Sequence, residues 1–147
     1  KIDPGNPQVI AGLVQVIQNT QDEYTRRLAA ESLEEIGQGN PQAIAGLLHV
    51  IQNTQGYARI RRLAIKSLEK IGQGNPQAIA GLLHVIQNTQ EYGRIRRLAA
   101  ESLWNIDPGN PQAIAGLVHV IQHTRDEYTR WQAIASLRKI DPENPNL

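Results

Sequence analysis

Apolar residues recur along this chain with the period of an α-helix, in four near-identical passes. From Asn40 the text reads NPQAIAGLLHVIQN, and Ile44, Leu47, Leu48 and Ile51 fall at i, i+3, i+4 and i+7, which places them on one helical face. Ala43, Ala45, Gly46 and Val50 spread apolar character around the cylinder, as suits a helix squeezed between equivalent neighbours. A second stretch follows in which Ile60, Leu63, Ala64, Ser67, Leu68 and Ile71 share a face. Nowhere does the two-residue alternation of a half-buried strand appear. Each pass therefore predicts two helices.

The boundaries are written in the polar text between the stripes. Asn accepts hydrogen bonds at a helix N-cap, and Pro is tolerated at the first helical position, where its missing N–H would be unpaired anyway. Asn–Pro pairs stand at Asn6, Asn40, Asn75, Asn110 and Asn144, in steps of 34, 35, 35 and 34 residues. The segment from Gly39 to Gln55 recurs letter for letter from Gly74 to Gln90. Second helices are expected to close at Gly72 and its counterpart by a left-handed turn, and in repeats 3 and 4 to stop at Ile-Asp-Pro before Pro108 and Pro142. A period near 35 with two helices per unit is that of a solenoid. The fold expected is all-α: one domain over residues 1–147, with repeats at about 5–38, 39–73, 74–108 and 109–142 and partial units at both ends. Helices of about 13 residues span about 20 Å, and pairs stacked about 8 to 10 Å apart share one core.

Composition narrows the chemistry. The chain has 147 residues, 40% of them hydrophobic and 20% charged, an ordinary balance for a globular protein. With no Cys at all, disulfides, thiolate catalysis and cysteine-ligated metals are excluded. A formal net charge of +1 argues against a generic polyanion binder, and no apolar run reaches the ~18 residues of a membrane span. A cytoplasmic, non-membrane protein without a cofactor is expected. Lys1-Ile2-Asp3-Pro4 matches Lys139-Ile140-Asp141-Pro142, so the text reads as an array cut from a longer one or assembled from such units, with uncapped ends suited to end-to-end self-association.

The second-helix text, TRRLAAESLEEIG from Thr25 and IRRLAIKSLEKIG from Ile60, resembles HEAT-like repeats, in particular the short variety named after phycobilin lyases. Arg26, Arg61, Arg96 and Arg130 match that pattern's arginine, and Ala29, Ala64, Ala99 and Ala133 its first alanine. The wording is similar to that of cyanobacterial arrays. The family's turn aspartate is matched by Asp22 and Asp126, whereas Tyr57 and Tyr92 stand in its place in repeats 2 and 3. The resemblance implies a non-catalytic scaffold that binds a protein or peptide, with the second helices lining a concave face. A subunit of a phycobilin lyase or isomerase is the enzymatic alternative it suggests, and a nucleic-acid-binding groove is a third possibility.

Where the copies disagree, function has room. If Leu28, Ala29, Leu33 and Ile36 are core, then Arg27, Ala30, Glu31 and Glu34 point outward. One outward column holds Arg27, Arg62, Arg97 and Trp131; the next Ala30, Ile65, Ala100 and Ile134; then Glu31, Lys66, Glu101 and Ala135; and last Glu34, Glu69, Trp104 and Arg138. Trp104 and Trp131 are the only two tryptophans. Exposed Trp beside Arg and apolar residues is the make-up of an interaction hot spot. The contact residues expected are therefore Trp104, Trp131, Ile134, Arg97, Arg62, Ile65 and Arg138. Repeat 2 carries five cations against one anion, +4, and repeat 1 two against five, −3, a polarity that would orient a partly acidic partner.

Other candidates are weaker. Arg59, Arg61 and Arg62, and likewise Arg94, Arg96 and Arg97, cluster in the first turns of second helices, where cations oppose the helix dipole, and Glu91 and Asp107 are local candidates to compensate them. His49, His84 and His119 form a column, and His123 lies four residues past the last. His119 and His123 could chelate a transition metal, but with no third ligand on that helix, solvated polar surface is expected. GQGNPQ at Gly72 follows a helix and lacks the glycine pattern of a nucleotide loop. Ser32, Ser67, Ser102 and Ser136 fall at core spacing, and Glu31, Glu34 and Glu35 read as a solvated acidic face.

Overall fold

The asparagines cap as their position demands. The computed structural model describes residues 5–53 and 58–147; the Lys1–Pro4 match and Tyr57 lie outside them. The Asn6 side chain accepts from the backbone N–H groups of Gln8 and Val9 at 2.8 and 3.4 Å. Asn40 accepts from Gln42 and Ala43 at 2.9 and 3.1 Å, and Asn75 and Asn110 repeat the contact. First helices accordingly start at the prolines: α1 Pro7–Asn19, α3 Pro41–Asn53, α5 Pro76–Gln87 and α7 Pro111–His123. Second helices are α2 Glu23–Ile36, α4 Ala58–Ile71, α6 Gly93–Ile106 and α8 Glu127–Ile140. There is no strand among the described residues.

The chain divides into two compact units, Lys1–Ala78 and Ile79–Leu147. In the first, α1 packs on α2, α3 on α4, α1 on α3 and α2 on α4. The second repeats this with α6 and α8 both against α7 and against each other. Within each unit a helix thus buries its stripe against the partner of its own pair and against a neighbouring pair, the arrangement of an α-solenoid. Ile44, Leu47 and Ile51 of α3 are fully buried, as are Ala64 and Leu68 of α4.

Two expectations about this packing need correction. The Ala30 column does not face outward: Ala30, Ile65 and Ala100 are all buried, Ile65 to 0% exposure. A second helix is covered on two flanks, by the first helix of its own pair and by the adjacent second helix, so its buried arc is wider than one stripe. Conversely Leu28, assigned to the core, is 45% exposed, whereas its counterpart Leu98 is at 4%. Ser32 is likewise exposed where Ser67 and Ser102 are fully buried.

The glycines divide their work differently from expectation. Gly37 caps α2 with a φ of −99°, and neither it nor Gly72 is left-handed. The left-handed residues are Gly39, Gly74 and Gly109, with φ of 65°, 65° and 88°. Gly72 is small because space demands it: a Cβ there would lie 2.7 Å from the Ala78 Cβ and 2.8 Å from the Leu68 carbonyl oxygen. The Gly39 N–H then donates to the Ile71 carbonyl at 2.9 Å, satisfying an otherwise orphaned acceptor at the end of α4.

Candidate functional site

The four arginines matched to the repeat pattern do one structural task. Each donates its Nε–H to the isoleucine carbonyl in the last turn of the preceding first helix: Arg26 to Ile17 at 3.0 Å, Arg61 to Ile51 at 2.9 Å, Arg96 to Ile86 at 2.8 Å and Arg130 to Ile121 at 3.2 Å. A cation at a helix C-terminus satisfies a free carbonyl and complements the dipole. In repeats 1 and 4 the guanidinium also binds the turn carbonyls of Thr20 and Thr124 and pairs with Glu23 and Glu127. The turn aspartates are not its partners. Asp22 and Asp126 cap α2 and α8, and hydrogen bonds from the hydroxyls and amides of Thr25 and Thr129 hold their carboxyls below the usual range. This column belongs to the scaffold.

Repeat 3 solves the same problem otherwise. Gly93 stands where repeats 1 and 4 have the pairing glutamate, and an Arg96 guanidinium nitrogen lies 3.0 Å from His119 Nδ1 on α7. Arginine only donates, so Nδ1 accepts and the His119 proton resides on Nε2. The His123 ring stacks on His119 with centroids 4.0 Å apart, its Nδ1 3.0 Å from the His119 carbonyl oxygen. His119, expected as solvated surface, is therefore half-buried and bonded across a helix interface. As arranged it has no free lone pair for a metal, so the His119–His123 pair is not a chelate. No group of three or more His, Asp or Glu side chains that could hold a metal occurs among the described residues.

The outward positions differ by helix. Those of α8 are Tyr128, Trp131, Ala135 and Arg138, at i, i+3, i+7 and i+10, all exposed. Trp131 is 75% exposed and Tyr128 67%. On α6 the equivalent line runs from exposed Arg94 through half-buried Arg97, Glu101 and Trp104. Arg97 pairs with Glu101, and its side chain is only 13% exposed; Ser136 of α8 donates to the same Glu101 carboxylate at 2.8 Å. Arg97 is thus tied between α6 and α8 rather than displayed. Trp104 and Ile134 are half-buried, whereas Arg62 and Arg138 are exposed. Ile65 is withdrawn as a contact residue, because a side chain without accessible surface cannot meet a partner.

In the first unit the acidic face also differs from expectation. Glu34 accepts from the Ser67 hydroxyl at 2.6 Å and from Lys70 at 3.1 Å, tying α2 to α4 while Glu31 and Glu35 stay exposed. Glu31, Glu34, Glu35, Gln38 and Lys70 line a shallow open depression. Glu91 accepts from the Tyr92 N–H, and Asp107 from the Asn110 side chain. Arg94 lies 5.6 Å over the Tyr92 ring.

Stacked helix pairs of one length, each tied by an arginine to the end of the preceding helix, define the class of helical-repeat proteins. The family model for HEAT repeats matches residues 10–104, and the chain belongs to that family. No curated protein and no solved structure matches it. No helix among the described residues is long and apolar enough to cross a membrane.

Proposed function

We propose that this chain is a non-catalytic scaffold whose protein or peptide partner lies along the outward side of its second helices, the side that the family resemblance makes concave. HEAT repeats commonly serve as interaction scaffolds. The observation that carries the proposal is Trp131, a large aromatic residue 75% exposed at the position where repeats 1 to 3 have arginine. Tyr128 one turn before it, and Ala135 and Arg138 beyond, complete a stripe with an aromatic centre and a cationic end, the composition enriched at interface hot spots. Ile134 of the same helix and Trp104 of α6 are half-buried.

The test compares proteins retained from a lysate by the immobilised chain with those retained by Trp131→Ala. Species held by the parent and lost from the variant support the site; identical sets overturn it. A second reading, stacking of copies through the outer flank of α2, is favoured by the exposure of Leu28 and Ser32. It requires sedimentation that shifts with concentration and ceases to do so in Leu28→Glu.

A further inference from the structure

Helix α4 carries four cations on one exposed line. Arg59, Arg62, Lys66 and Lys70 are all exposed, and their spacing of three, four and four residues holds them within an arc of about 80° along about 16 Å of helix. Only Lys70 forms an ion pair, with Glu34. Arg59, Arg62 and Lys66 have no such partner among the described residues. The one acid of α4, Glu69, is half-buried, and its Oε1 reaches no hydrogen-bond donor.

This arrangement opposes the helix's own stability. Like charges at i, i+3 and i, i+4 repel, and a cation in the first turn opposes the helix dipole. The first turn of α4 holds no acid, whereas that of α2 holds Glu23, paired with Arg26. The equivalent line is relieved in every other repeat. On α2 it runs Tyr24, Arg27, Glu31 and Glu35; on α6, Arg94 stands over Tyr92 and Arg97 pairs with Glu101; on α8 it is mostly uncharged. Uncompensated positive charge is thus concentrated on one helix.

Resting on the reading of second helices as the partner-facing side, we infer that α4 docks an acidic segment of a partner protein, with a carboxylate about every helical turn meeting Arg59, Arg62 and Lys66. Neighbouring α2 decides between a protein and a nucleic acid. It packs against α4 and exposes Glu31 and Glu35 beside the depression they share with Lys70. Packed helices lie about 8 to 10 Å apart, so a nucleic-acid duplex, about twice that width, would press phosphates onto these glutamates. A peptide helix about 10 Å across fits over α4 alone. Its flank can present Lys or Arg to Glu31 and Glu35, which fixes its orientation.

The experiment measures fluorescence anisotropy of a labelled helical peptide of about 15 residues, Glu on one face and Lys on the next, titrated with the full chain at low salt. Controls are the same peptide with Lys in place of Glu, and a labelled oligonucleotide of similar length. We expect the Glu peptide to bind in preference to both. Its affinity should fall about tenfold or more in Arg62→Glu/Lys66→Glu, whose helix content is checked by circular dichroism, and that variant should instead bind the Lys peptide. Failure of the Glu peptide to bind, binding indifferent to the reversal, or tighter binding of the oligonucleotide overturns the inference. Proteins lost from Trp131→Ala while the Glu peptide fails would sink the α4 site alone. A Glu peptide that binds while Trp131→Ala retains every species sinks the tryptophan site alone.

Discussion

His119 Nδ1 lies 3.0 Å from a guanidinium nitrogen of Arg96, so a neutral imidazole on α7 takes the place of the glutamate that Arg26 and Arg130 pair with. The groups that face this imidazole are the Arg96 guanidinium from α6 and the stacked His123 ring of its own helix.

That environment gives His119 a pH signature. Burial, then the charge of Arg96 and then His123 lower its pKa below the ordinary value. The folded chain therefore holds this proton less tightly than the unfolded chain, and stability must rise with pH wherever the unfolded state binds more protons. As pH falls through about 6.5, the contribution of this site is progressively lost. The melting temperature should drop between pH 7.5 and 5.5, and the drop should be smaller in His119→Gln, whose side-chain oxygen can still accept from Arg96. An equal drop in both proteins would assign the effect elsewhere.

Gly72 and Gly74 should respond in opposite ways to the residue that replaces them. At Gly72 an added Cβ meets the Ala78 Cβ at 2.7 Å and a backbone oxygen at 2.8 Å, and neither can yield cheaply. Gly72→Ala should cost about 1 to 3 kcal/mol in urea unfolding, and Gly72→Asn more. At Gly74 nothing lies within 4 Å, but φ is +65°. Gly74→Ala should cost about 1 kcal/mol, and Gly74→Asn less, because Asn tolerates the left-handed region.

Magnitudes also separate the two partners of Arg26. Its buried Nε–H bond to Ile17 involves a charge, worth about 1.5 to 3 kcal/mol, whereas its ion pair is with a half-exposed Glu23, worth at most about 1 kcal/mol. Arg26→Met should therefore lower the unfolding free energy by about 2 kcal/mol and Glu23→Gln by well under half of that. Equal losses would show that the ion pair, rather than the carbonyl tie, holds the arginine.

Helix starts were legible because Asn–Pro is a local signal whose physics is complete within three residues: Asn6, Asn40, Asn75 and Asn110 all cap as their position demands. The stripe from Ile44 to Ile51 was legible for the same reason. What escaped depended on contacts between helices. Ile65 and Leu28 exchange expectations because a period of 3.6 tells which residues share a face but not how many faces a neighbour covers. The Arg96–His119 bond joins residues 23 positions apart; its only trace in the text is Gly93 in place of a glutamate. The cationic line of α4 was visible as net charge in repeat 2, but only the structure distinguishes Arg61, buried against Ile51, from exposed Arg62 and Lys66.

Ile65 and Trp131 supply the sharpest contrast, because both were expected on the binding surface. Ile65 has no accessible area, so Ile65→Ala removes buried methyl groups and leaves a cavity, at a cost of about 2 to 5 kcal/mol. Trp131 is largely in solvent, and its truncation should change stability by no more than about 0.5 kcal/mol. The measurement is urea unfolding of both variants followed by circular dichroism, since removing a tryptophan alters the fluorescence signal itself. Should Trp131→Ala destabilise as much as Ile65→Ala, the indole would be a packing residue, and its exposure could no longer support a binding role.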